Sequence, residues 1–517
     1  MGSSMESSSS IVVLGPLEAL IRDRASVRAS APYLFEARGP RMLSFEGLHL
    51  EVTSLRRRLA SWNLGPGDRV GLLIGDPFTF ATWFLAGLTI GIWVAPFDPT
   101  VSTRNLANVD LRARALGADV VLSDRDGPDN ASLNWITVTD DAPPALHPRH
   151  APSRWPETGG VVLSSSGTSG TPKVVALPSA QLLATAHLIA QHNRLEVTDR
   201  GFNPLPLWHV NAEVVGLLAT LVAGASLVLD ERFHRTGFWK IVDDFDVTWI
   251  NAVPAIISRL VALHDDEAPP KRVRFVRSAS APLSRALFDE FEALTGIPII
   301  QSYGMTEAAS QICANPLGGV RKSGSVGVPV GVEVRISPMD SDDVTEGMSF
   351  VGHIEIRGPT VITAYESPEY DDRFDDEGWL RSGDLGYFDE DHYLYIVGRN
   401  DDLINRGGEK IYPLEIESVL AGVEGVAVVA IIGEPDEVFG QVPVAYVQPR
   451  DVATLNSAKE SSELVQRLRV SANEAFSKAY RPATVKLVAQ LPVHPTGKIG
   501  KGQLRDGDVV VAYEERL

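Results

Sequence analysis

Short apolar runs alternate with longer helical segments along most of the 517-residue chain, and this alternation restricts the fold more than any other feature. Arg69-Val70-Gly71-Leu72-Leu73-Ile74, Val120-Val121-Leu122, Ser226-Leu227-Val228-Leu229, Val247-Thr248-Trp249-Ile250 and Val273-Arg274-Phe275-Val276 are too apolar for strands with one face in water. Between them, Phe45–Leu64, Arg104–Leu116, Ala180–Asn193 and Leu283–Leu294 carry the spacing of amphipathic helices. The order predicts an α/β architecture, with helices covering mainly parallel sheets. Two longer apolar stretches, Ala81–Phe97 and Val214–Leu229, contain glycines and fall short of the ~20 residues that cross a bilayer. Each therefore reads as a buried helix followed by a strand.

From about Ser325 the texture changes to short strands rich in Val and Gly, as in Gly331-Val332-Glu333-Val334-Arg335-Ile336. After Asn400 come helical patterns at Leu414–Val419 and Glu460–Phe476 and strand patterns at Val426–Ile432 and Pro443–Gln448. A chain of this length exceeds a single core. The expected division is a low-complexity, disordered tail over residues 1–10 and a large N-terminal domain over 11–400, with a β-rich subdomain at about 325–400. A small mobile α+β domain over 401–517 completes it. The formal net charge of -19 argues against a nucleic-acid backbone or an anionic membrane surface as the main partner. The one cysteine, Cys313, excludes an intramolecular disulfide and a Cys-based structural zinc site, and reads as a buried small side chain. With no basic segment leading into an apolar one at the start, a cytoplasmic location is expected.

The stretch Leu163-Ser164-Ser165-Ser166-Gly167-Thr168-Ser169-Gly170-Thr171-Pro172-Lys173 carries eight small or hydroxyl residues in a row. It has too little apolar surface for core. It offers free backbone N–H groups, hydroxyls and one cation, the surroundings a polyphosphate needs. No Gly-Lys-Ser/Thr closes it, so it is not a P-loop. A flexible linker would not be flanked by Val161-Val162-Leu163 and Val174-Val175-Ala176-Leu177.

Further polar clusters follow. Tyr303-Gly304-Met305-Thr306-Glu307 comes after the strand-like Ile297-Pro298-Ile299-Ile300-Gln301 and presents a ring, a hydroxyl and a carboxylate; alone, it would equally be a helix-capping turn. Arg381-Ser382-Gly383-Asp384-Leu385-Gly386 places an Asp in a glycine-flanked turn, suited to vicinal hydroxyls. Gly398-Arg399-Asn400-Asp401-Asp402 sets a cation and two carboxylates at the expected domain boundary. Pro495-Thr496-Gly497-Lys498-Ile499-Gly500-Lys501 puts a lysine on a glycine-flanked loop, ordinarily a solvated surface position.

Taken in order, over roughly residues 40 to 505, these clusters resemble the adenylate-forming superfamily of acyl-CoA synthetases, peptide-synthetase adenylation domains and firefly luciferases. The resemblance adds Pro206-Leu207-Trp208-His209 as the gating aromatic-His motif and Ser278-Ala279-Ser280-Ala281-Pro282 as the adenine strand. It implies that ATP and a carboxylic acid give an acyl-adenylate and pyrophosphate, and that coenzyme A then displaces AMP. Joining two anions demands charge neutralisation, hence Mg²⁺ and lysine.

By resemblance, Ser165, Ser166, Gly167, Thr168, Ser169, Gly170 and Lys173 hold the phosphates, and Thr168 and Glu307 hold Mg²⁺. Ser278, Ala279, Ser280, Ser302, Tyr303, Gly304, Met305 and Thr306 line the adenine side, with Tyr303 against the base. Asp384 and Arg399 lie near the ribose. Lys498 is the catalytic lysine bridging carboxylate and α-phosphate, alongside His209, Thr168 and Glu307. Asp401 is the hinge, and Arg406, Gly407, Gly408 and Lys410 form the coenzyme A side.

The resemblance is strongest to the oxalyl-CoA synthetase and acid-CoA ligase branch, through Arg277–Leu283, Asn315-Pro316-Leu317, Lys322–Gly327 and Ile404–Ile411. Two positions depart from that branch: Asn211 replaces a His, and Gly304 an Ala. Both belong to an expected acyl pocket of Trp208, His209, Asn211, Val215, Ser280, Gly304 and Met305, where Asn211 suits a small polar acid. Equally, Asn211 would serve to hold local backbone. Only 19 residues follow Lys498, with no carrier-protein serine motif among them. An acid-CoA ligase is the expected activity. The alternatives are a stand-alone adenylating enzyme using a carrier protein or an amine, or activating an unusual small oxyanion, and, more remotely, a luciferase-like mono-oxygenase.

Overall fold

The computed structural model describes residues 15–139, 158–165, 173–263, 268–339, 350–492 and 499–517. Helices begin where the sequence supplies a cap. Ser44 Oγ accepts from the Gly47 amide ahead of Phe45–Ser61, Asp76 from Thr79 ahead of Pro77–Thr89, and Ser284 from Leu287 ahead of Arg285–Thr295. Gly296 ends the last of these at φ 68°, a left-handed turn that glycine adopts without steric cost.

Among the described residues these helices cover two large sheets. In the nine-stranded sheet, strands 299–303, 275–278, 249–252, 200–203, 226–229 and 32–36 run parallel side by side. In the six-stranded sheet, 134–137, 120–123, 69–73, 93–96 and 160–165 run parallel, and Lys173–Pro178 closes the edge antiparallel. The expected buried helix-strand pairs are Pro77–Thr89 with Trp93–Pro96, and 212–223 with Ser226–Leu229.

Three strands start two residues later than the apolar pattern predicts, at Trp249, Phe275 and Ile299. The two leading valines close the preceding turns instead: the Val247 amide bonds back to the Val242 carbonyl, and the Val273 amide to the Pro270 carbonyl. The shift carries Tyr303 inside its strand rather than beyond it. Similarly, the expected helix 104–116 is a 3₁₀ turn at Thr103–Asn105 followed by an α-helix at Leu106–Ala115.

Strands Glu333–Ser337, Gly352–Arg357, Leu380–Phe388 and Leu394–Arg399 form an antiparallel sheet of their own. A further sheet is built from residues 404–516, with the helices Pro413–Leu420 and Ala458–Ala475 packed on it. Its hydrophobic clusters draw only on residues from Ile404 onward. The 3₁₀ turn Asn400–Asp402 joins the two regions. Asp402 accepts from Arg505 at 2.5 Å, and Lys501 pairs with Glu417 at 2.7 Å. No described helix is long and apolar enough to cross a membrane.

Candidate active site

Ser165 and Lys173 are cross-strand partners at the open end of the antiparallel pair Gly160–Ser165 and Lys173–Pro178. This ladder fixes both ends of the phosphate-loop segment. Residues 166–172, and with them Ser166, Gly167, Thr168, Ser169 and Gly170, lie outside the described residues.

Lys173 is 9% exposed, and its ammonium stands 5.1 Å from the centre of the Tyr370 ring. Burial lowers its pKa, and the Arg373 charge adds to the effect while Glu307 opposes it. Glu307 is buried in the 3₁₀ turn Thr306–Ala308, where its Oε1 accepts from the Tyr365 hydroxyl at 3.0 Å. That contact spans 58 residues of sequence.

Asp384 and Arg399 face each other across two antiparallel strands, 3.6 Å apart. Tyr303 OH donates to Asp384 Oδ2 at 2.5 Å, and burial, reinforced by the Asp384 charge, keeps the phenol protonated. Gly383, at φ 87°, lies between two guanidinium groups: a Cβ there would come within 3.4 Å of both Arg373 and Arg399. Lys173, Arg373 and Arg399 thus converge on a region that also holds Glu307, Asp384 and Asp401. Arg399 pairs with Asp384, while Lys173 and Arg373 are cations suited to a ligand with several negative charges.

Glu307 forms no ion pair among the described residues, and its carboxylate is a hard oxygen donor, which fits Mg²⁺. No described group of three or more His, Cys, Asp or Glu is gathered as a metal cage. Mg²⁺ is ordinarily held by one or two carboxylates together with substrate phosphates.

Of the residues expected around the acyl group, Trp208 and His209 come first, with ring centres 3.7 Å apart. The chain then enters a helix that widens to a π-helix over Ala212–Leu218, containing the buried Val215. The wider turn frees carbonyls, and hydroxyls supply the missing bonds: Thr220 donates to Gly216 at 2.7 Å and Tyr33 to Leu217 at 2.6 Å.

Asn211 is 8% exposed and already engaged. Its Oδ1 accepts from Asn251 at 2.9 Å and its Nδ2 donates to Ser280 Oγ at 3.3 Å. Asn251 also donates to Asn203 at 3.0 Å, so three amides and a hydroxyl form one chain. Ser280 has φ 72°, a strained backbone for a non-glycine residue that this chain steadies. Ser278 ends its strand beside Ala279, and Ser302 Oγ donates to the Ser278 carbonyl at 3.2 Å. Gly304 leads through an extended Met305 into the turn at Thr306, and a Cβ on Gly304 would overlap the Ser310 carbonyl. Close approach of two backbones fixes that glycine, whatever the pocket requires.

In the C-terminal region, Gly407 and Gly408, at φ 60° and 97°, make the two-residue turn between Ile404–Arg406 and Glu409–Ile411. Arg406 donates to the carbonyls of Lys478 at 2.9 Å and Ala479 at 2.5 Å and covers the Phe439 ring at 4.8 Å. The Lys410 carbonyl accepts from Tyr480 at 2.8 Å. Asp401 lies exposed in the joining turn. Lys498 lies outside the described residues. Sequence reasoning missed Arg373, Tyr365 and the asparagine chain, because no local motif carries them and only tertiary packing brings them in. Cys313 is buried as expected.

Helix-covered parallel sheets, an antiparallel hairpin bounding residues 166–172 and a Tyr303–Asp384 pair are the setting in which the comparisons identify an adenylate-forming enzyme. The chain belongs to the AMP-binding enzyme family: the AMP-binding enzyme model matches residues 21–366, and the AMP-binding enzyme C-terminal domain model matches 415–498. It is 34% identical over 514 residues to the sulfoacetate–CoA ligase of Cupriavidus necator, covering 95% of this chain and 98% of that protein. It is 33% identical over 413 residues to the oxalate–CoA ligase of Arabidopsis thaliana, covering 78% and 75%. Among solved structures, O-succinylbenzoate coenzyme A synthetase (MenE) from Bacillus subtilis with AMP superposes at a TM-score of 0.80, with 25% identity over 96% of this chain and 99% of that one. ATP-bound MatB from Rhodopseudomonas palustris gives 0.80 at 26% identity, with coverage of 96% and 99%. The protein is an AMP-forming enzyme of the acyl-CoA synthetase type.

Proposed function

We propose that this enzyme is an ATP-dependent ligase that joins a small carboxylic acid to coenzyme A in the cytoplasm. The observation that carries the reading is the convergence of Lys173, Arg373 and Arg399 beside Glu307 and the Tyr303–Asp384 pair. Relatives whose names specify sulfoacetate and oxalate support a small acid, and the single cysteine, buried and unpaired, supports a reducing compartment.

In the first half-reaction the acid carboxylate attacks the α-phosphorus of ATP, and pyrophosphate leaves. Two anions must meet, so the barrier is electrostatic before it is chemical. Lys173, Arg373 and the backbone amides of the Ser165–Gly170 segment lower the phosphate charge felt by the incoming carboxylate. Lys498 bridges carboxylate and α-phosphate, aligning the reactants as it neutralises them. Glu307 and Thr168 would hold Mg²⁺, which would supply further charge neutralisation. Asp384 and Arg399 hold the ribose, and the Tyr303 ring lies against adenine.

In the second half-reaction the coenzyme A sulfur attacks the acyl carbonyl and AMP leaves. The division at Asp401 lets residues 401–517 reorient, withdrawing Lys498 and presenting Arg406, Gly407, Gly408 and Lys410 to the thiol arm. Trp208 and His209 gate the acyl side.

A pyrophosphate-release screen over short carboxylic acids, run with and without coenzyme A, tests the reading. Release that depends on an acid, with AMP and a thioester formed on addition of coenzyme A, is the expected result. Release without any thioester would move the acceptor elsewhere.

A further inference from the structure

Arg277 is the largest charged side chain sealed inside the described molecule, with 0% of its surface exposed. Its Nη2 donates to Gln311 Oε1 at 3.0 Å, and its Nε and Nη1 have no hydrogen-bond partner among the described residues. Among the described residues no carboxylate pairs with it. Burial lowers its pKa to about 9, so it stays a cation at neutral pH. His192 contacts the Asn315 carbonyl at 2.9 Å, and burial together with the Arg277 charge favours its neutral form. Burying an uncompensated guanidinium is strongly unfavourable, and a fold that retains one does so where an anion arrives.

The position says which anion. Arg277 stands in register with Asn251 on the neighbouring parallel strand, so the two side chains leave the same face of the sheet. Asn251 is tied through Asn211 to Ser280, on the wall of the acyl side. Gln311, which accepts from the guanidinium, has its backbone nitrogen beside Gly304, where a Cβ would lie 3.0 Å from it. The guanidinium therefore belongs to the sheet face of Asn251, next to the asparagine chain that reaches Ser280. Gln311 Nε2 also lacks a partner, which adds a third donor beside Arg277 Nε and Nη1. A guanidinium fork with an adjacent amide matches the oxygens of a carboxylate or sulfonate.

We propose that Arg277, assisted by Gln311, receives a second anionic group at the end of the acid opposite the reacting carboxylate, so that the native substrate is a short dianionic acid. The proposal rests on the acid–CoA ligase reading and specifies its substrate class. A monoanionic acid of the same size would leave the cation unpaired and the pocket poorly satisfied.

The test compares malonate, succinate and sulfoacetate with partners whose distal group is uncharged: monomethyl malonate, monomethyl succinate and sulfamoylacetate. For wild type, kcat/KM for acid-dependent pyrophosphate release is expected to favour at least one dianion over its partner by at least about 10²-fold. Arg277→Met should lose that preference while keeping activity on the uncharged partners within a few-fold. Without substrate, its melting temperature should equal or exceed that of wild type, because a buried uncompensated charge has gone. The preferred dianion should raise the melting temperature of wild type but not of the variant.

Equal use of both members of every pair overturns the proposal. So does an Arg277→Met protein that melts lower and loses both activities together, which would make Arg277 a strut for Gln311. If that variant does not fold, the thermal shift of wild type by dianion against uncharged partner decides alone. If no acid supports release, the ligase reading fails; release with uncharged acids only removes the receptor and leaves the ligase.

Discussion

Arg373 and Glu213 show how much chemistry rests on single side chains that no motif announces. Arg373 shares the flank of Gly383 with Arg399 and adds its charge to that of Lys173. If it neutralises phosphate charge, Arg373→Gln should slow acyl-adenylate formation by about 10²-fold, in line with the loss of one well-placed donor. Thioester formation from supplied acyl-adenylate should be nearly unaffected, and Arg373→Lys should recover part of the loss. Single-turnover measurement of each half-reaction checks it, and an equal fall in both would assign Arg373 to the scaffold.

Glu213 is 0% exposed in the π-helix, and neither carboxylate oxygen has a hydrogen-bond partner among the described residues. Burial pushes its pKa well above the usual range. The folded protein therefore holds this proton more tightly than the unfolded chain, and the stability linked to it is complete below the ordinary carboxylate pKa and falls as pH rises above it. Glu213→Gln, which cannot ionise, should be more stable than wild type at neutral pH, by on the order of 1 kcal/mol. Melting curves between pH 5 and 8 should show the gap widening with pH; a constant or narrowing gap would contradict the buried-acid account.

At the scale of elements, the periodicity of apolar runs was enough to read the parallel sheets, because strands buried on both faces leave an unbroken apolar signature. Strand starts came out two residues early at Val247, Val273 and Ile297, since apolar pattern reports burial and those residues are buried in turns. Of the candidate site, the sequence offered what is contiguous, as in Tyr303 to Glu307. The site was illegible where packing of distant loops supplies the partner, as with Tyr365 and Arg373. The π-helix was unreadable for a similar reason: its widened turn depends on hydroxyls from Tyr33 and Thr220, one of them 184 residues from its acceptor.

The asparagine chain shifts the expectation for Asn211. Its acceptor is occupied by Asn251 and one donor by Ser280. Asn211→Leu should therefore cost about 1–3 kcal/mol of stability by stranding buried partners, and should lower activity on polar and apolar acids alike. A kcat/KM ratio for a matched acid pair that changes several-fold would instead place Asn211 in direct contact with substrate.

For the whole molecule, the central claim is that two half-reactions share one site and that residues 401–517 serve both. Lys498→Ala should reduce adenylation by roughly 10²–10³-fold, about 3–4 kcal/mol, while leaving thioester formation from pre-formed acyl-adenylate close to wild type. An equal loss in both halves would remove the assigned role. The most direct measurement is rapid quench of enzyme, ATP, Mg²⁺ and a turned-over acid, with coenzyme A added only after a delay. Before the addition, acyl-adenylate and pyrophosphate should appear in equal amounts, up to one per active site. After it, the adenylate should decay at the rate at which AMP and acyl-CoA form. A thioester formed without a prior adenylate, or ATP cleaved to ADP and phosphate, would contradict the account.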